Sequence, residues 1–211
     1  MVRQLLRGRT GGPDGNERLT ATIGLILVGL LVVEAATTLS LHDYLAVHVF
    51  LGLLLLPVIA AKLASTGWRF ARYYTRNVDY RLRGPPQLFM RALAPLLVAS
   101  TVVLFGTGIA FLAVGRGGGL LLTVHAASFV VWGALVAVHT LVYLRRVLRG
   151  GVADWRPSAR RLAGTTLRRS AVLAALAGGV AVGLGTYSVQ NGWLAHRHHH
   201  RRQAFRAPDR E

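Results

Sequence analysis

Residues 44–63 read YLAVHVFLGLLLLPVIAAKL. In these twenty positions only His48 and Lys62 ionise, and a helix of about 20 mostly apolar residues is what it takes to cross the hydrocarbon core of a bilayer. Four more stretches meet the same requirement: Leu19–Leu41, Phe89–Val114, Leu120–Tyr143 and Ala171–Val189. The pattern predicts an all-α integral membrane helical bundle, a four-helix core plus a fifth transmembrane helix. The first stretch lies too far from the N-terminus, and is too well continued, to read as a cleaved signal.

Composition agrees with that reading. Of 211 residues, 53% are hydrophobic and only 16% charged, against about a quarter in a soluble domain. The charges are lopsided, 25 Lys and Arg against 8 Asp and Glu, a formal +17. An ordinary cytosolic enzyme and a disordered chain are both excluded by these figures. With no cysteine in the sequence, disulfides, thiolate zinc, iron–sulfur clusters and covalently attached haem are excluded as well.

The arginines sort by connection. Arg3, Arg7, Arg9 and Arg18 precede the first span; six more lie between Arg69 and Arg91; eight lie between Arg145 and Arg169. The two alternate links, Leu41–Tyr44 and Gly115–Gly119, carry only Arg116. By the positive-inside rule the N-terminus and both Arg-rich loops are cytoplasmic. Anionic lipid head groups are the expected partners of these arginines, at about 1 kcal/mol each, and no nucleic acid is needed to explain the charge. The chain divides into a cytoplasmic segment 1–18, a four-helix domain 19–148, an Arg-rich loop 149–170, a fifth span 171–190 and a His/Arg-rich tail 191–211. The tail's His196 and His198–His200 can bind Zn, Cu or Ni only loosely, and an unstructured basic tail is the expectation.

Ionisable side chains inside a span are costly, and each is a functional hypothesis. They are Glu34, His48, Lys62, His125 and His139; His42 and Asp43 belong to the hairpin between the first two spans. His48 and Lys62 are 14 residues apart, as are His125 and His139. At about 100° per residue, 14 steps return to within roughly 40° of one helix face, about 21 Å further along. The second and fourth spans run in the same direction. His48 and His125 are therefore expected at one depth near the hairpin end, and Lys62 and His139 at one depth near the Arg-rich end.

Two histidines at one level on facing helices can hold the iron of a b-type haem axially, in the space between helices where bundles build cofactor sites. One haem on His48 and His125 is the expectation, and a second on Lys62 and His139 is the alternative. Gly52, one turn after His48, lets a porphyrin approach the backbone, and Trp132 can line its edge. Glu34, near the depth of His48, can orient a ligand imidazole through its ring N–H or accept a proton from a quinol. The plain alternatives are interhelical hydrogen bonds from the histidines and a Lys62 that extends toward the head groups.

The chain resembles the bacterial membrane cytochrome b proteins that anchor periplasmic oxidoreductases of the formate dehydrogenase and thiosulfate reductase sort, and most of all a small four-helix variant found in actinobacteria. The likeness covers about residues 19–148 and is carried by Leu41-His42 through His48 with Lys62, by Ser65-Thr66-Gly67-Trp68-Arg69-Phe70-Ala71-Arg72-Tyr73-Tyr74-Thr75, by Gly84-Pro85-Pro86, and by His125-Ala126-Ala127-Ser128-Phe129 with His139. The resemblance implies a bacterial cell membrane, haem b and electron transfer between a quinone pool and a partner oxidoreductase subunit. It assigns His48 and His125 to one haem and His139 to another, with Lys62 departing from the two-haem pattern. Such a protein is a redox subunit rather than a stand-alone enzyme. The rival readings are a haem-free scaffold or assembly protein, and a small proton-coupled transporter working through Glu34, Lys62 and His139.

Overall fold

The computed structural model describes residues 10–85, 87–114, 119–157 and 162–192. Among the described residues the chain runs through α1 (Gly12–Thr38), α2 (Leu41–Tyr74), α3 (Val78–Arg81), α4 (Leu88–Val114), α5 (Leu120–Gly151) and α6 (Thr165–Gly185). All but the one-turn α3 are long and apolar enough to cross a membrane, which makes this a multi-pass membrane protein. The links around Gly117, Arg160 and Pro86, and the tail with His196–His200, lie outside the described residues.

The helices outrun the apolar stretches that announce them. Gly11, in the left-handed region at φ 74°, turns the chain into α1, and Pro13 occupies the first turn, where a missing N–H costs nothing. α1 therefore starts seven residues before Leu19. α2 runs on past Leu63 to Tyr74, and α5 past Tyr143 to Gly151, because arginine and aromatic residues are good enough helix formers outside the hydrocarbon. At the other end the α1–α2 link is shorter than expected. The turn is Leu39–Ser40, and His42 and Asp43 already sit in the first turn of α2, which bends where Tyr44 leaves helical geometry.

α1 packs along α2 and α5, α4 packs along α5, and α2 touches α4 more lightly. These neighbours form a ring in which α2 and α5 face one another across the diagonal. The fifth span, expected as an addition to a four-helix core, is packed into that core. α6 packs along α2 almost as extensively as α1 does, and the best-buried apolar cluster is Ile23 and Leu27 of α1, Leu55 and Val58 of α2 and Val172 of α6. Small residues permit that approach: a Cβ on Gly183 would stand 2.6 Å from the Phe50 ring, and one on Gly179 would strike the Leu54 carbonyl.

The Arg-rich end is cross-linked. Asp154, in the turn after α5, is buried with Arg168 of α6. The Arg168 guanidinium donates to Asp154 Oδ2 at 2.5 Å and Oδ1 at 3.0 Å, and also to the carbonyls of Thr10 and Ala163. Arg18 of α1 reaches Asp154 Oδ1 at 3.0 Å, and Arg169 donates to the Asp154 carbonyl. Burial pushes the Asp154 carboxyl up, but the hydrogen bonds and charges of Arg168 and Arg18 outweigh it and hold it below its ordinary value. The loop 149–170 is thus tied at this residue to both α1 and α6.

Candidate functional site

At the hairpin end, α1 and α2 meet around one imidazole. His48 Nδ1 lies 2.9 Å from Glu34 Oε1 and 3.1 Å from Thr37 Oγ1. Thr37 directs its only hydroxyl proton to the Glu34 carbonyl, 2.6 Å away, so toward the ring its oxygen accepts. A carboxylate and a hydroxyl oxygen both accepting at Nδ1 place the ring proton there. The lone pair of the neutral imidazole is then on Nε2. Gly52 completes the corner: a Cβ there would be 3.7 Å from Glu34 Oε1, so the glycine keeps the wall beside the carboxylate low. The other carboxylate oxygen, Oε2, is buried without a hydrogen-bond partner.

The same logic repeats on α5. His125 Nδ1 is 2.9 Å from Thr107 Oγ1 of α4, and Thr107 gives its proton to the carbonyls of Val103 and Leu104 at 2.8 and 2.9 Å. His125 therefore also carries its proton on Nδ1, which leaves Nε2 as a lone-pair donor. Phe111 meets the ring edge to face with centroids 5.5 Å apart, and Gly108 sits 3.5 Å from its Cε1 when given a Cβ. His125 stays within electrostatic reach of His48. The structure thus sets, on diagonal helices of the ring, two half-buried imidazoles whose Nδ1 atoms are held by three hydroxyl or carboxylate contacts.

The Arg-rich level is built differently. Lys62 Nζ donates to the Thr20 carbonyl of α1 at 2.7 Å and fills the notch left by Gly24, where a Cβ would stand 2.9 Å from it and 3.5 Å from a Val147 methyl. The amine has reached toward the head-group side, into a polar seam where Asn16, Thr20 and Ser65 bond to one another. His139 stays within electrostatic reach of Lys62 and packs on Tyr143 with ring centroids 5.0 Å apart. Among the described residues it has no counterpart of the threonines that bond His48 and His125. Trp132 is buried against α4, its indole N–H donating to Thr101 Oγ1 at 2.9 Å and its ring edge to face with Phe105.

Two kinds of residue escaped the sequence reading. Thr37 and Thr107 are neutral and common in spans; only their position one helix away from a histidine gives them meaning. Asp154 and Arg168 lie in a loop whose arginines suggested lipid contact alone. Among the described residues no three or more His, Cys, Asp or Glu gather as a metal cluster, so the imidazole pair stands by itself. Two imidazoles on facing helices, each oriented through Nδ1, suit a metal held by a macrocycle that supplies the remaining ligands. No family model, curated protein or solved structure matches this chain.

Proposed function

We propose that this protein is an electron-transfer cytochrome b of a bacterial cell membrane, with one haem b held between α2 and α5 by His48 and His125. The observation that carries the reading is the shared engagement of the two imidazoles: each has Nδ1 against an oxygen acceptor, an arrangement that favours the tautomer with its lone pair on Nε2. Partners that fix a ligand's tautomer and ring orientation are the usual support of a histidine–metal bond. A bound haem b would supply reversible one-electron chemistry; the chain supplies ligands, orientation and an apolar surround. Glu34 and Thr37 hold the His48 ring, and Thr107 holds that of His125.

Lys62 and His139 are not assigned a second haem in this reading, since the Lys62 amine is engaged at the Thr20 carbonyl. Electrons would pass between a quinone pool and an oxidoreductase partner, with the Arg-rich end on the cytoplasmic side by the charge bias of the loops. The transporter reading has less support. Glu34 is engaged with His48 near the hairpin, whereas Lys62 lies 14 residues beyond His48, about 21 Å along the helix. The scaffold reading draws on the same bonds, because His48 joins α2 to α1 and His125 joins α5 to α4.

A reduced-minus-oxidised absorption spectrum of the full chain, purified in detergent from haem-sufficient cells, separates these readings. Sharp b-haem bands that vanish in His48→Ala and in His125→Ala are expected. A colourless, well-folded protein overturns the cytochrome and leaves the scaffold or the transporter.

A further inference from the structure

Glu34 carries an acidic group that no cation of the chain answers. Its side chain is 13% exposed within a span, and among the described residues its ion-pair partner is His48 alone, 2.9 Å from Oε1. Oε2 is buried without a hydrogen bond, and the nearby Thr37 hydroxyl spends its proton on the Glu34 backbone carbonyl. Acids at the Arg-rich end are treated differently: Asp154 is met by Arg168 and Arg18, and Glu17 by Arg146. A buried carboxylate without a counter-charge costs several kcal/mol, so a positive charge that arrives with a ligand is the natural complement of this one.

The two imidazoles are unequal in the same respect. His48 Nδ1 meets a carboxyl oxygen and a hydroxyl, whereas His125 Nδ1 meets the neutral hydroxyl of Thr107 at 2.9 Å and, among the described residues, no carboxylate. A ring N–H held by a carboxylate gives up its proton density more fully than one held by a hydroxyl, which makes the opposite nitrogen the more basic ligand atom. An iron porphyrin core carries one positive charge when ferric and none when ferrous. A negative charge behind one ligand therefore favours the ferric form, and hydrogen bonding around the axial ligands is one of the levers by which a protein sets a haem potential.

We propose that Glu34 sets the redox potential of this site. Acting through Nδ1 of His48, its carboxylate makes the two axial ligands unequal and holds the haem at a lower potential, as a stronger reductant, than hydroxyl partners on both sides would give. Glu34 is thus a positioning residue rather than a ligand. The inference rests on the reading of His48 and His125 as haem ligands and adds to it the regulation of that same site.

The test is a spectroelectrochemical titration of the full chain in detergent, following the b-haem bands. Glu34→Gln keeps the shape of the side chain and an oxygen for Nδ1 but drops the charge. It is expected to raise the midpoint by about tenfold in the ferric-to-ferrous ratio at fixed potential, or about 59 mV. Thr107→Val raises it less, and Glu34→Asp, which retains the charge, stays closer to the wild type. The band positions stay the same in all four proteins, because both ligands remain. A Glu34→Gln midpoint equal to that of the wild type, or moved no further than that of Thr107→Val, overturns the inference while the bands themselves uphold the cytochrome. A Glu34→Asp midpoint raised tenfold or more does the same. A wild type without b-haem bands overturns both.

Discussion

At the hairpin end of the bundle, Glu34, Thr37 and Thr107 converge on the Nδ1 atoms of two imidazoles; at the Arg-rich end, polar groups converge on one another. There Asp154 joins three arginines from two helices, Lys62 reaches a backbone carbonyl of its neighbour, and Asn16, Thr20 and Ser65 close a seam between α1 and α2. On the proposed reading one end uses polarity to orient two ligand imidazoles; the other uses it to hold helices. The sequence places a histidine or lysine at 14-residue intervals in both α2 and α5, so spacing alone makes the two levels look equivalent. What separates them is the neighbour each side chain finds on an adjacent helix.

The comparison sharpens into graded expectations. Asp154→Ala leaves Arg168 buried without its counter-charge and should cost about 3–5 kcal/mol, the largest effect outside the ligands, read as a fall in thermal midpoint in detergent with any b-haem spectrum unshifted until the protein melts. The pH dependence has a defined sign. The folded carboxyl sits below its ordinary value, so its contribution is complete above about pH 4 and fades as pH falls through the lower folded value. In Asp154→Asn the melting temperature should lack that acid-side decline, and an identical decline in both proteins would break the argument.

Gly179→Ala comes next, since its methyl would meet the Leu54 backbone and push α6 off α2; a loss of about 1–3 kcal/mol by the same melting assay is expected. Glu34→Gln acts on ligand affinity rather than on the fold. Its amide still offers an oxygen to His48 Nδ1 but no charge, and removal of such a supporting partner costs 10- to 100-fold in affinity, measured by haem loss to an acceptor protein. A change in melting temperature without faster haem loss would move Glu34 from the ligand end's logic to that of the other end. Lys62→Met is the smallest, about 0.6 kcal/mol for one interhelical bond, with haem content and spectrum unchanged. Altered haem content here would make the two levels alike after all.

The fold was legible because twenty-residue apolar runs have few other uses, and their number and order are as expected. Helix ends were not, because polar residues outside the bilayer carry no hydropathy signal for where a helix stops: α2 and α5 run 11 and 8 residues past Leu63 and Tyr143. The place of α6 was missed for a related reason. A long arginine-rich loop reads as loose tethering until Asp154 is seen to gather those arginines, and the small residues of α6 have meaning only against Phe50 and Leu54 of α2. In the site, the costly ionisable groups stood out against their apolar surround. The threonines that fix their tautomers did not, since hydroxyls in spans commonly bond to their own helix.

Haem counted per polypeptide, in the wild type and in His48→Ala side by side, bears most directly on the claim that only the hairpin-end imidazoles hold iron. The account gives one per chain in the first and none in the second, both remaining helical by circular dichroism. Two haems per chain in the wild type, or a full complement retained without His48, would contradict it.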